Sequence, residues 1–542
     1  MVPFYRGFAS MAIGGILASC GQAGREAEVA DDRLNILCIT VEDISPMLGF
    51  NGDPVARTPV LDALARESVV FSNVFSVSGV CAPSRAALIT GMYPSSIGAN
   101  NMRTSQRDLA DGVPPHEAVP PAEVRCYTEF LRAAGYYCTN NEKTDYQFRP
   151  PVTAWDENGR TAHWRNRPGG MPFFSIFNIM TTHESQIWNR ANDPMVIHPD
   201  DVTVPPYFPD TPVVRRDIAR VYSNITIMDR EVGEILEQLK EDGLYDQTII
   251  VFYSDHGGPL PRQKRALYDS GLHVPFLIRF PGAAGGGTVV DDLISFVDIP
   301  ATILSLAGIE PPAYMQGQAF WGQYKAEPRE YIYAARDRMD SEVDIRRAVR
   351  DQRFKYIRNY RTEISDYQDI EYRLNIPVMQ EMLRLRDAGL LNADQRYWFR
   401  TTKKPEELYD LDRDPYELSN LADDPAYSDV LRRLRTAHEQ WMTTIDDKGL
   451  MTEKELVWSM WPDGIQPVTA DPYMVPAGNK IGLRSETEGA SIAYMINQNT
   501  PEPHKRWLLF HQPIEVNAGD TLTAAAIRIG FRQSEEVSFI MQ

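Results

Sequence analysis

Three stretches of this chain are apolar almost without interruption, and each ends abruptly in polar, ionisable residues. LNILCITV (Leu34 to Val41) runs into Glu42 and Asp43, the run Phe173 to Met180 into Thr181, Thr182 and His183, and Thr248 to Tyr253 into Asp255 and His256. A continuous rather than alternating apolar run is what a strand buried on both faces requires, and such strands belong to parallel sheets covered by helices. The intervening sequence supplies the helices. Thr58-Pro59 opens an amphipathic helix with Leu61, Leu64 and Ala65 inward, and from about Arg216 to Gly243 the residues Ile218, Val221, Ile225, Met228, Val232, Ile235 and Leu239 recur at helical spacing. The predicted fold class is therefore α/β, with a large mainly parallel sheet flanked by helices. Open sheets of this kind hold their sites in the crevice at the carboxyl ends of the strands, where all three polar terminations fall.

Between the first two runs lies VCAPSRAALITG, Val80 to Gly91. It places Cys81, Pro83 and Arg85 ahead of a short helix-favouring run, Ala86 to Ile89, with Gly91 to stop it. A cysteine entering a helix N-terminus sits where backbone N–H groups and the helix dipole gather anions. Most free cysteines are small buried hydrophobes. A core cysteine would have no need of the polar and conformationally special neighbours Ser78, Gly79, Pro83, Ser84 and Arg85, so Cys81 is read as a reactive position. The formal charge of -19 leaves no basic footprint for nucleic acid. An anionic substrate must then be met by a local cluster of cations, because the field of the whole molecule repels it.

The Cys81 run resembles the signature of the type I, formylglycine-dependent sulfatases of the alkaline phosphatase superfamily, and CAPSRAALITG matches it without a gap. The resemblance extends over about residues 33 to 425 and is closest to the bacterial heparan N-sulfatase-like polysaccharide sulfatases. It implies that a formylglycine-generating enzyme oxidises Cys81 to 3-oxoalanine, whose hydrate is the nucleophile. It also implies a divalent metal held by Glu42, Asp43, residue 81, Asp255 and His256, and a mostly oxygen donor set favours Ca²⁺. Arg85, Lys143 in NNEKTDY and Lys264 in PRQKRALYDSGLHVP match catalytic and sulfate-binding positions, and His183 matches the histidine that protonates the leaving group. Arg262 and Arg265 would add local charge for substrate binding or be ordinary solvated arginines, and His273 is a further substrate-binding candidate and the alternative acid. Two departures stand out: Glu42 replaces the commoner Asp, and Asp145 replaces a histidine expected two residues after Lys143. The expected reaction is hydrolysis of sulfate esters, with N-sulfate as a variant, on sulfated polysaccharides or oligosaccharides. A phosphate or phosphonate ester hydrolase of the same superfamily and a non-catalytic glycan-binding lipoprotein are the alternatives.

The ends of the chain add context. Phe8 to Ala18 is too short to span a bilayer and sits where a signal peptide belongs. LASCGQ resembles a bacterial lipobox with Cys20 as the lipid-modified residue; a plain signal peptide is the simpler alternative. The expectation is an exported lipoprotein of the periplasm, outer membrane or cell surface, touching membrane through the lipid anchor only. Residues 1–20 are the signal peptide, 21–32 a linker, and 33–345 the catalytic domain. Residues 346–465 would form a smaller antiparallel subdomain, in which AVRDQRFKYIRNY reads as strands and KPEELYDLDRDPYELSNL matches the closing motif of sulfatase C-terminal subdomains. Residues 472–542 read as a small all-β accessory domain. Cys126 and Cys138 could pair in an oxidising compartment or stay as two core thiols.

Overall fold

The computed structural model describes residues 33–105, 112–497 and 506–541. The apolar run at Phe8, Cys20 and the linker lie outside them. No described helix is long and apolar enough to cross a membrane.

The three apolar runs form the middle of an eight-stranded sheet. In chain order its strands are β1 (Asn35–Val41), β2 (Val69–Phe71), β3 (Tyr137–Asn141), β4 (Glu157–Asn158), β5 (Phe173–Ile179), β6 (Thr248–Ser254), β7 (Phe276–Arg279) and β8 (Val289–Val290). Their spatial order is β8-β2-β7-β6-β1-β5-β3-β4. β1 lies between β5 and β6, parallel to both, with Cys38 opposite Ile176 and Val251. β7 is the antiparallel member, paired that way with both β6 and β2.

The absence of alternation in these strands has its physical cause in the two cores. On β1, Ile36 and Cys38 enter one cluster while Leu37, Ile39 and Val41 enter the other. The first face is covered by the helices Cys81–Thr90, Tyr127–Ala133 and Asp298–Leu306, the second by Pro59–Arg66, Pro212–Glu241 and Pro377–Asp387. The long helix starts four residues before the position its periodicity marks, because Pro212 takes the first helical position and the Thr211 side chain accepts from Val214 N.

A second, four-stranded antiparallel sheet is built from Ile332–Met339, Glu342–Arg350, Phe354–Asn359 and Glu406–Asp410, each paired with the next. It begins at Ile332, so the division expected after residue 345 falls inside its second strand. A final group of strands, Tyr473–Ala477 to Val537–Ile540, makes a hairpin and another four-stranded sheet. That sheet is fastened to the first face of the main one: Arg132 donates to Trp507 O at 2.7 Å, and the Glu129 carboxylate accepts from Ser491 Oγ at 2.5 Å. Cys126 and Cys138 are both free buried thiols.

The loop ahead of Cys81 and the loop carrying Lys264 are locked together without space for a side chain. Arg265 N donates to Gly79 O at 2.6 Å, and a Cβ on Gly79 would lie 2.4 Å from Ala266 O. Gly79→Ala must push the two backbones apart. We expect about 1–3 kcal/mol of destabilisation, seen as a loss of about 2–6 °C in Tm. An unchanged melting curve would show that the loops are not in register as described.

Candidate active site

The carboxyl ends of four parallel strands converge. β1 delivers Glu42 and Asp43, β3 leads to Lys143, β5 to His183 and Glu184, and β6 to Asp255 and His256. Into this crevice points the start of the helix Cys81–Thr90, with Cys81 as its first residue. Its N-cap Val80 offers no side-chain hydrogen bond, and Gly91 closes the helix with φ 71°. Glu42, Asp43, Asp255 and His256 have no solvent exposure, and Cys81 has 2%.

The Cys81 sulfur lies 3.4 Å from His256 Nε2, 3.8 Å from Glu42 Oε2 and 4.0 Å from Asp43 Oδ1. Each carboxylate is matched by a cation. Arg85 spans two of them, donating to Glu42 Oε1 at 2.5 Å and Asp255 Oδ2 at 3.1 Å, while its third nitrogen reaches Asn178 Oδ1 at 2.7 Å. Lys143 Nζ meets Glu42 Oε2 at 2.5 Å and Lys264 Nζ meets Asp43 Oδ2 at 2.5 Å. Glu184 takes both terminal nitrogens of Arg265, at 2.8 and 2.9 Å, and its backbone N–H donates to Asp43 Oδ2.

Burial pushes the carboxyls of Glu42, Asp43 and Glu184 up, but their partners win. Lys143 and Arg85 hold Glu42 well below the usual carboxylate range, Lys264 and His256 do the same for Asp43, and Arg265 with Lys264 holds Glu184 at about 2. Against burial, Lys143 and Lys264 draw the Cys81 thiol below its ordinary range, whereas burial alone pushes up Cys38 and dominates the rise at Cys126 and Cys138. Burial and Lys264 push His183 down, yet Asp43 and Cys81 carry it above the usual imidazole value. Its Nδ1 accepts from Ser185 N at 3.3 Å and lies 2.8 Å from Ser185 Oγ, which leaves Nε2 as the nitrogen for the cavity.

Two sets of donor atoms lie within 4.8 Å of one another: Glu42, Asp43, Cys81 and His183, and Asp43, Cys81, Asp255 and His256. Together they offer three carboxylates, two imidazoles and the Cys81 sulfur, an oxygen-rich set that suits a divalent cation. The charge on His256 shows the same pull. Burial opposes protonation, but Asp255 and Asp43 raise the imidazole to about 10, so the carboxylates demand positive charge at that spot.

Cys81, Lys143, His183, Glu184 and Lys264 line one cavity of about 640 Å³, together with Arg103, Glu117, Asp145 and Arg149. Asp145, which stands where the histidine was expected, puts its carboxylate 3.5 Å from Lys143 Nζ. Three predicted substrate-binding residues are not on this cavity. Arg262 is pinned between the rings of Tyr207 and Tyr268, at 4.6 and 4.1 Å, and donates to Glu417 O. His273 stacks on Phe75 at 4.6 Å with Nε2 2.7 Å from Ser72 O, and burial pushes its pKa down. Arg265 serves the site from behind, through Glu184 and Asp340. Adjacency to Lys264 in sequence suggested all of them for substrate, but packing turns these side chains inward.

Glu184 and Asn178 are participants that the sequence reading passed over, although both left a trace. Asn178 breaks an apolar strand, and Glu184 is the acidic neighbour of His183. Arg103, Arg149 and Asp340 had no local signal.

Known proteins resemble this chain in sequence and in fold. The family model described as Sulfatase matches residues 34–160 and 159–309, and the model described as N-sulphoglucosamine sulphohydrolase, C-terminal, matches 262–375. The chain is 46% identical to a protein of Formosa agariphila named ulvan-active sulfatase, over 96% of this chain and 95% of that one. It is 26% identical to human N-sulphoglucosamine sulphohydrolase, over 82% of this chain and 95% of that one. A solved structure titled as a 2-O GAG sulfatase superposes with a TM-score of 0.56 at 20% identity, covering 77% of this chain and 93% of that one, and shares the fold.

The thiol shifts have a direct test in protein whose Cys81 is unmodified and whose cations have been removed. Alkylation requires the thiolate, so Cys81 should label first and at a lower pH than an ordinary thiol. Replacing Lys143 by Met should move that profile to higher pH, because a lowered pKa rises when the cation is lost. Equal labelling of Cys38, Cys81, Cys126 and Cys138, followed by mass spectrometry, would contradict the electrostatics.

Proposed function

The chain belongs to the sulfatase family, and from that premise we propose that it hydrolyses sulfate esters of sulfated polysaccharides or oligosaccharides, with residue 81 matured to formylglycine. One observation carries the assignment. Cys81 sits on the floor of a cavity at a helix N-terminus, within 4.0 Å of Glu42, Asp43 and His256, while Lys143, Lys264 and His183 line the same floor. A nucleophile, a cation site, anion-binding lysines and an acid thus meet at one point.

Oxidised to formylglycine, residue 81 supplies a hydrated aldehyde whose hydroxyl displaces the leaving oxygen from sulfur. The oxygen-rich set Glu42, Asp43 and Asp255 with His256 would hold Ca²⁺, which supplies positive charge beside that hydroxyl and the sulfuryl oxygens. Arg85 bridges Glu42 and Asp255. Lys143 and Lys264 neutralise sulfuryl oxygens that no longer have water around them. His183 Nε2 donates the proton to the leaving oxygen. Asp145, on the same cavity wall as Lys143, is the carboxylate available to take a proton from the residue-81 side when sulfate is expelled. The match to an N-sulphoglucosamine sulphohydrolase C-terminal model adds N-sulfate as a second class to assay. An export signal ending at Cys20 would place the enzyme on the outer side of the cell, where such polymers are met.

The decisive experiment is a panel of sulfated glycans read out by released sulfate, using protein co-expressed with a formylglycine-generating enzyme. Sulfate should be released, the peptide containing residue 81 should carry an aldehyde, and Cys81→Ala should abolish turnover with the fold intact. Exhaustive chelation should remove activity and Ca²⁺ should restore it. Full activity after chelation would refute the calcium assignment.

His183 can be tested by leaving group. His183→Ala should slow sulfated sugar alcohols by about 10²–10⁴-fold. Aryl sulfates, whose phenolates leave with little protonation, should lose far less. Equal losses on both would make His183 a binding or structural residue.

A further inference from the structure

Above the floor of the cavity, three short segments form a rim. His116 N donates to Thr104 O at 2.9 Å, Ala118 N to Gln147 O at 2.8 Å, and Arg149 N to Glu117 Oε2 at 2.8 Å, so residues 103–104, 116–118 and 147–149 are stitched side by side. The rim is tied in turn to the antiparallel sheet, where Met102 N donates to Arg338 O and Arg338 donates back to Met102 O.

Two guanidiniums stand on this rim, both lining the cavity that holds Cys81, His183 and Lys264. Arg103 has a left-handed backbone, φ 58°, lies over the Tyr372 ring at 4.8 Å, and has Nε 3.4 Å from Asp340 Oδ1. Its side chain is 24% exposed, so it is held in place without being withdrawn from the cavity. Arg149 is exposed, and its guanidinium has no hydrogen-bond or ion-pair partner among the described residues. The carboxylates on the same walls are already engaged: Glu184 by Arg265 and Lys264, Asp145 by Lys143, and Glu117 by the Arg149 backbone. On the cavity lining Arg103, Lys143, Arg149 and Lys264 outnumber Glu117, Asp145 and Glu184 by one charge, in a chain of net charge -19.

We propose that Arg103 and Arg149 form a subsite for a second anionic group on the glycan, one that the reacting sulfate does not use, so that the enzyme selects sugars carrying two negative charges. Guanidiniums fit carboxylate and sulfate oxygens through paired N–H donors, and Arg103, held against Tyr372 and Asp340, forgoes little side-chain freedom on binding. The second anion is either the carboxylate of an adjacent uronic acid or a second sulfate ester. The proposal rests on the sulfatase reading above for the identity of the first anion.

The test uses full-length protein with Cys81→Ala, which binds without turnover, and three oligosaccharides of equal length. One is monosulfated with a uronate, one is the same compound after carboxyl reduction, and one is disulfated without a uronate. Calorimetry should show the uronate or the disulfated compound bound about 10- to 100-fold more tightly than the carboxyl-reduced one, and whichever is favoured names the anion. Adding Arg103→Gln and Arg149→Gln together should compress that ratio below about threefold, with the far-UV and melting signatures of the parent retained. Equal affinity for all three compounds in the parent, or a preference that survives both substitutions, overturns the subsite. Sulfate release from all three compounds by matured enzyme is measured in parallel. Release with no binding preference sinks the rim alone, whereas a preference with no release from any of the three sinks the sulfatase reading and leaves the rim standing.

Discussion

Four carboxylates, those of Glu42, Asp43, Glu184 and Asp255, are withdrawn from water at the ends of three neighbouring strands. Moving such charges out of water costs several kcal/mol each unless each finds a cation, and removing one partner of a buried pair typically costs about 3–5 kcal/mol. Against a net stability of about 5–15 kcal/mol for a folded domain, none can be left unmatched. Arg85, Lys143, Lys264 and Arg265 supply the match, each at 2.5–3.1 Å from its carboxylate. The same matching creates the chemistry. A crevice that must balance acids with bases at short range can accept a metal cation beside a sulfate anion, and it lowers the Cys81 thiol without any dedicated base.

The rest of the molecule holds this balance rigid. Non-glycine residues with left-handed backbones gather around the crevice, among them Asp43, Asp145, Gln147, Arg262 and Arg265. Such conformations persist only where the surroundings over-determine them. The antiparallel sheet provides much of that constraint. Its Lys355 meets Asp269 at 2.5 Å and Glu417 at 2.8 Å, Arg262 is clamped beside them by two tyrosine rings, and the Lys264 segment is thereby fixed from behind. Arg262 and His273 therefore act on the site only through structure, although they flank Lys264 in the chain.

Fold and substrate rest on different observations. The likeness to solved structures near 20% identity establishes an architecture that several chemistries share. The 46% identity over nearly the whole chain establishes the family, and Cys81, Lys143, His183 and Lys264 line the floor of one cavity. The walls of that cavity add two guanidiniums, Arg103 and Arg149, the residues of the proposed second-anion subsite.

The parallel sheet was legible in the sequence because burial on both faces leaves an unbroken apolar run, and the polar residues that end each run had to fall at the carboxyl edge. Glu42, Asp43, His183, Asp255 and His256 could be placed for that reason, and Cys81 from its motif at the start of a helix. Lys143 and Lys264 followed from the resemblance to the family's segments, and both line the cavity. The domain boundary expected at residue 345 falls inside the strand Glu342–Arg350 of the antiparallel sheet. What only the tertiary structure decided was the direction of side chains carried by loops. Arg262, Arg265 and His273 turn into the protein while Arg103 and Arg149, from segments distant in the chain, turn to the cavity, because a loop has no period of its own and its side chains are oriented by what packs against them.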